Sequence, residues 1–256
     1  DPSEIVGTGP VVLDKYVTDQ KVVLKKNPYS WRFDPEGNKL PYIDELEYLI
    51  IKDSEVQKAK FRSGEIDAIY SISGQDFPSL KQAEVDGADF KIMAGTPINP
   101  TPSPKHLSFN FDVEDEQLSK VFRNLKFREA MAYLVNREKI INDVFNTLAI
   151  KPGTPVLPTH KSWYNSEIEK VRRGYNLEKA RQLLDDIGIK DTDNDGIREL
   201  ENGEDFEFVL TLPNYSSYKD TASVIIDAAK KVGIKIDRDI LAFNLTFDKC
   251  LNGNFE

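Results

Sequence analysis

Two stretches rich in β-branched residues, Val11-Val12-Leu13-Asp14-Lys15-Tyr16-Val17 and Lys21-Val22-Val23-Leu24-Lys25-Lys26, flank the polar triplet Thr18-Asp19-Gln20. Apolar runs joined by so short a turn predict a β-hairpin. Asn27-Pro28 ends its second strand, because proline brings no N–H to a ladder. Leu46 to Ile51 predicts a further strand, Ile66 to Tyr70 a buried one, and Leu107 to Phe111 another with clear alternation. Asp53 and Ser54 are suited to cap a helix that runs to Arg62 and stops at Gly64. Shorter helices are expected from Phe77 to Glu84, from Phe127 to Val135 and from Glu138 to Asn146. Behind a cap at Asn176, Leu177, Ala180, Leu184 and Ile187 recur at three- and four-residue spacing, and Gly188 ends that helix. A strand through Phe206, Phe208 and Leu210, a helix burying Val224, Ile225, Ala228 and Val232, and a strand from Ile234 follow. Such a β-α-β succession implies parallel pairing through a right-handed crossover.

Residues 97–104 hold four prolines, which favours a non-helical loop or a link between lobes. The irregular stretch 151–165 carries Trp163 and Tyr164, both expected as core anchors. Thirty-four basic residues against 43 acidic ones leave a net charge of -9 over 256 residues. That surface repels phosphate backbones and argues against nucleic acid as a partner. No apolar run approaches the roughly 20 residues a membrane span requires. The lone cysteine, Cys250, excludes an internal disulfide and is expected to be a small buried hydrophobe. His106 and His160 form no metal-ligand pair in the sequence. Nucleophile elbows, zinc-protease helices and phosphate-binding glycine loops are missing, which points away from catalysis.

The sharpest local pattern is Asp191-Thr192-Asp193-Asn194-Asp195-Gly196-Ile197. Oxygens at loop positions 1, 3 and 5 converge on a hard cation, and glycine at 6 permits the sharp turn. The Ile197 carbonyl and Glu199 fall at positions 7 and 9. Position 12, where a bidentate glutamate belongs, is Asn202, and a strand rather than a helix follows. The alternatives are a structural calcium held by Asp191, Asp193, Asp195, Ile197 and Glu199, or a surface turn whose aspartates bond their own backbone. No other cofactor is expected.

Several segments together resemble the family 5 solute-binding proteins of ABC importers, which include dipeptide- and oligopeptide-binding proteins. Gly7-Thr8-Gly9-Pro10 resembles that family's G-T-G-P-Y-x-L entry, with Val11 where an aromatic is usual. Asn27-Pro28-Tyr29-Ser30-Trp31 resembles N-P-x-Y-W, Leu40-Pro41-Tyr42-Ile43-Asp44-Glu45 resembles L-P-Y-x-D-E, and Arg62-Ser63-Gly64-Glu65-Ile66-Asp67 resembles R/L-x-G-E-I-D. Phe127-Arg128-Glu129-Ala130 through Asn136-Arg137-Glu138-Lys139-Ile140 resembles V-R-x-A…D-R-x-x-I, with Asn136 in place of the aspartate and Arg128 expected in an ion pair. The Asp191 loop with Gly196-Ile197-Arg198 is similar to one common in the family.

The resemblance implies an α/β fold of the type II (cluster C) periplasmic-binding-protein kind. Two lobes with mixed sheets flanked by helices would close over an oligopeptide or oligosaccharide and deliver it to ABC permease transmembrane subunits. It implies an internal piece of a longer protein, with residues 1–111 the middle of the first lobe and 112–256 the first part of the second, both lobes incomplete. The location implied is periplasmic or extracytoplasmic, with membrane contact only through the permease or a lipid anchor. Tyr70, Ser71 and Ser73, after the 66–70 segment, match a ligand-lining stretch, although Tyr70 is equally suited to pack between lobes. Asn110 is placed either as a ligand contact or as a holder of hinge backbone groups. A calcium-dependent adhesion module and an unfamiliar hydrolase built on His106 or His160 remain the rival classes.

Overall fold

Val23 is the buried centre of a three-stranded antiparallel sheet. In this computed structural model, which describes residues 5–70, 72–93, 105–151, 156, 161–171 and 173–256, the chain forms two compact units that divide at residues 71 and 72. In the first unit, β1 (Val11–Val17) and β2 (Lys21–Lys26) make the expected hairpin, with Val17 opposite Lys21 and Asp19 at positive φ in the turn. β3 (Glu45–Leu49) pairs antiparallel with the other edge of β2. Asp53 caps α1 (Ser54–Arg62) by accepting the N–H groups of Glu55 and Val56 at 2.8 and 3.1 Å.

Two of the resemblance motifs in this unit are fastened to each other. The buried Asn27 amide donates to the carbonyls of Gly7 and Gly9 at 3.0 and 2.8 Å, and its oxygen accepts the Tyr29 N–H. The expected strand at 66–70 does not form. A strand needs a ladder partner, and here Asp67, Ala68 and Tyr70 face solvent.

In the second unit, α2 (Phe77–Val85) follows a turn in which Ser73 takes two roles: its hydroxyl donates to Asp76 at 2.6 Å and its carbonyl accepts the Phe77 N–H. Residues 107–111 form no strand; Phe109 instead packs against Phe122 and Phe127, with ring centroids 5.2 and 5.0 Å away. α3 (Glu116–Arg123) is a helix absent from the expectations above, capped by Asp115 and burying Leu118 and Phe122. α4 (Leu125–Leu134) follows the cap at Asn124 and buries Phe127, Ala130, Met131 and Leu134.

The helix expected over 138–146 is only α5 (Arg137–Lys139), continued by a π-helical turn, Ile140–Val144, and closed by Asn146 and Thr147 at positive φ. Gly74 explains the close approach there: a Cβ at that position would lie 2.5 Å from the Phe145 carbonyl oxygen. α6 (Ser166–Glu169) and α7 (Leu177–Asp185) follow, α7 capped by Asn176 as its sequence predicts.

β4 (Glu207–Pro213), α8 (Ser216–Lys230) and β5 (Lys235–Leu241) then give the expected parallel crossover, with Glu207 opposite Lys235 and Pro213 opposite Leu241. α9 (Phe243–Leu251) completes the order. The core lies between this layer and α3, α4 and α7, where Phe122, Phe127 and Phe206 are fully buried among Leu118, Leu134 and Leu184. Each such side chain contributes about 1.5–3 kcal/mol by leaving water.

Three side chains differ from expectation. Cys250 is exposed, because α9 buries none of its residues completely. Trp163 is 81% exposed rather than a core anchor. Arg128 makes no ion pair among the described residues; it donates to the Phe122 carbonyl at 2.8 Å and lies over the Phe111 ring.

Candidate ligand-binding site

Ligands of open α/β sheets approach the carboxyl ends of the strands. The chain leaves both parallel strands at that end: after Pro213 through Asn214 and Tyr215 into α8, and after Leu241 through Ala242 into α9. The Asn214 N–H donates to the Leu241 carbonyl at 2.7 Å, which ties the two exits together. Four aromatic rings line these exits in an unbroken row. Tyr218 and Tyr215 are 6.2 Å apart, Tyr215 and Phe243 6.2 Å, and Phe243 and Phe247 6.4 Å in a near-parallel stack. Tyr215, Phe243 and Phe247 are each more than half exposed. Exposed aromatic faces are able to stack on planar or apolar groups.

Two helix N-termini and two lysines lie beside this row. Neither α8 nor α9 has a side chain capping its first turn, so the amide-rich ends of both helices open at this face. Lys219 donates to Asn214 at 3.0 Å. Lys105 donates to the Ser217 hydroxyl, with its nitrogen 3.1 Å from the Tyr218 ring centroid. The residue is exposed, yet its amine is held against Ser217 and the Tyr218 ring, and burial pushes it down to about 8. The same rule about strand ends points to Asn214–Tyr218 and Ala242–Phe247 from sequence, once both strands are accepted, and this row is what the sequence reading missed.

The expected site residues are placed as follows. Tyr70 is 83% exposed, its ring 6.4 Å from that of Tyr48, whose hydroxyl is held above its ordinary value by the hydrogen bond the two share. Ser71 lies outside the described residues, as does His160. His106 is exposed. Ser73 is used in the turn before α2. Asn110 is buried and all its polar atoms are used: its amide donates to the Gly253 and Phe255 carbonyls at 2.8 and 2.7 Å, and its oxygen accepts the Asp112 N–H.

The Asp191 loop forms as a turn, with Asn194 and Gly196 at positive φ. Asp191 accepts the N–H groups of Asn194 and Gly196, Asp193 that of Asp195, and Asp195 that of Ile197. Carboxylate oxygens of Asp191, Asp193, Asp195 and Glu199 lie within 4.8 Å of one another. Arg198 bolts the loop to its surroundings through the Val232 carbonyl, the Ile189 carbonyl and Asp185 at 2.6, 2.5 and 2.6 Å. On the other side Asp205 has its carboxyl raised, by desolvation first and then by Asp195, Asp193, Glu207 and Glu199.

A fold with two parallel strands opening onto an exposed aromatic row suits a protein that grips a solute. Over residues 1–256 the chain matches the family described as bacterial extracellular solute-binding proteins, family 5 Middle, and it belongs to that family. A probable ABC transporter-binding protein of Deinococcus radiodurans is 34% identical over 247 residues, 95% of this chain and 41% of the relative. The periplasmic alpha-galactoside-binding protein of Rhizobium meliloti is 30% identical over 86% of the chain and 33% of its own length. The oligopeptide-binding protein AppA of Bacillus subtilis, solved in complex with a nonapeptide, superposes with a TM-score of 0.72 at 24% identity, over 94% of this chain and 44% of that one.

The fold is therefore that of the type II periplasmic binding proteins. The chain spans about two fifths of the length of the Deinococcus relative and of AppA. Members of this family are transport binding proteins of ABC importers, not enzymes. Among the described residues no helix is long and apolar enough to cross a membrane.

Proposed function

We propose that the protein carrying this chain captures oligopeptides outside the cytoplasm and hands them to the transmembrane subunits of an ABC permease. The observation that carries this reading is the exposed row Tyr215, Phe243 and Phe247 at the carboxyl ends of β4 and β5, beside two uncapped helix ends. Aromatic faces take up apolar side chains, and the helix ends with Lys105 and Lys219 favour a carboxylate.

The same row supports a second reading, an oligosaccharide as cargo, because ring faces also stack on sugars. The alpha-galactoside-binding relative at 30% identity favours it. Residues 1–111 and 112–256 are proposed to belong to the first and second lobes of the whole protein, a boundary that differs from the division of the compact units at residues 71 and 72. That protein would close on its solute, which shifts an existing open–closed equilibrium by its extra contacts in the closed form. Tyr70 is the exposed contact proposed in the first unit, and Ser71 and Ser73, which follow it in the sequence, are proposed with it. Asn110 is proposed as a holder of backbone rather than a ligand contact. A periplasmic or lipid-anchored location accords with this role.

Calorimetric titration of the full-length protein with oligopeptide and oligosaccharide sets tests the reading. Saturable binding of one set supports it and names the cargo; no binding of either overturns it.

A further inference from the structure

We propose that the loop from Asp191 to Glu199 is a calcium site that locks the turn between α7 and β4. Glu199, rather than the three aspartates, makes the case. It is 8% exposed. Its Oε2 accepts the backbone N–H and the hydroxyl of Thr192, both at 2.7 Å. Its Oε1 is buried with no partner among the described residues. A carboxylate oxygen taken out of water without a donor is costly, and this one belongs to a group that faces three further carboxylates. None of the four has a lysine or arginine ion-paired to it among the described residues; the nearest arginine in sequence, Arg198, is committed to Asp185. Turn chemistry explains why the aspartates lie as they do, but it does not explain why a fourth carboxylate is buried against them.

Oxygens bound to one calcium at about 2.3–2.6 Å lie at most about 4.6–5.2 Å apart, whereas a magnesium sphere spans only about 4.0–4.2 Å. The four carboxylate oxygens lie within 4.8 Å of one another, close enough to share one calcium sphere. All the donors are hard oxygens, as calcium requires.

The objection raised by Asn202 at position 12 also finds an answer. Glu199 is bridged on both sides, to Lys190 and to Asp205, so it is held in place by β-type pairing instead of an exit helix. Asn202 is turned into its own bend, where it donates to Glu204 at 2.6 Å. The acidic ligand thus arrives three positions early, from a bridge.

This inference stands apart from the transport reading, since it needs only the loop. The test is equilibrium dialysis of the full-length protein, stripped with chelator, against calcium, with thermal melts alongside. One calcium per chain is expected. At calcium about a hundredfold above Kd the melting temperature should rise by about 2 °C or more, and chelator should reverse the rise. Glu199→Gln should abolish uptake. Because that buried change can also impair folding, the exposed variants Asp193→Asn and Asp195→Asn are measured too, and each should weaken binding about tenfold or more through lost ligand charge. No uptake at millimolar calcium, exposed variants that bind as tightly as the parent, or magnesium displacing calcium at equal concentration would each overturn the proposal.

Discussion

Asn110 and Gly253, 143 positions apart, are joined by a 2.8 Å hydrogen bond from side-chain amide to carbonyl. The same amide reaches Phe255, and the Asp112 N–H closes the set. Asn27 makes the same three-bond clamp on Gly7, Gly9 and Tyr29. In both cases one amide donates to carbonyls two residues apart and accepts an N–H two residues downstream. Asparagine alone offers two donors and an acceptor on so short a stem. Replacing Asn110 by Ala should cost about 2–3 kcal/mol, since each bond is worth about 0.5–1.5 kcal/mol. It should also speed amide exchange in residues 252–256. Denaturant unfolding and hydrogen exchange would check this, and unchanged exchange in residues 252–256 would contradict the clamp.

Arg198 is the bolt of the Asp191 loop. Its side chain is almost fully buried, while Asp185 is half exposed. Removing an arginine from such a setting leaves two carbonyls and a carboxylate without their donor. Arg198→Ala is expected to lose about 3 kcal/mol. Arg198→Lys should recover little, because an ammonium cannot reproduce the planar fork. Full recovery by lysine in a urea titration would mean that charge alone matters there.

The phenylalanine core makes a simpler prediction. Phe127 is fully buried and touches the rings of Phe109, Phe122 and Phe206. Phe127→Ala should destabilise the second unit by about 3–5 kcal/mol. A loss under about 1 kcal/mol would place the core elsewhere.

Lys105 gives a pH dependence with a definite sign. Burial lowers its amine from 10.5 in the unfolded chain to about 8 in the folded one. The Tyr218 ring beneath the ammonium pulls the other way, so the measured midpoint should fall between those two values. Below the folded pKa both states carry the proton and the folded state bears the burial penalty. As pH rises from about 8 towards 10.5 the folded state sheds the proton first, and stability rises. Exposed pairs such as Lys25 with Asp14 have raised amines and lose their contribution only at higher pH. The difference between the parent and Lys105→Met, followed by denaturant midpoints at several pH values, isolates the lysine. A flat difference across that window would contradict it.

Elements whose partners are local were legible in the sequence. The β1–β2 hairpin is set by its own turn, α1 and α7 by Asp53 and Asn176, and the parallel crossover by the spacing of Phe206, Val224 and Ile236. What failed depended on distant partners. Ile66–Tyr70 and Leu107–Phe111 carry strand-like residues but pair with no strand, and Phe109 spends its ring on the helical core. α3 was missed although Asp115 precedes Leu118, Val121 and Phe122 at helical spacing, a signal that was there to find.

The resemblance motifs were legible for a related reason: turns and clamps demand particular residues. Asn27 joins two of them, and Asn136 caps α5 through the Lys139 N–H where the family has aspartate. The aromatic row is built by two strands that end side by side, and no local pattern announces it.

Solute retention tests the central reading most directly. Full-length protein and its Tyr215→Ala/Phe243→Ala variant are purified alike, denatured, and the released small molecules identified by mass spectrometry. Both positions are more than half exposed, so the variant should fold with a stability change near 0.5 kcal/mol per site. The parent should release an intact peptide or oligosaccharide, and the variant about tenfold less, as expected for a loss near 1.4 kcal/mol of affinity. Equal release from both proteins, or release of a chemically altered product, would contradict a solute gripped unchanged against that row.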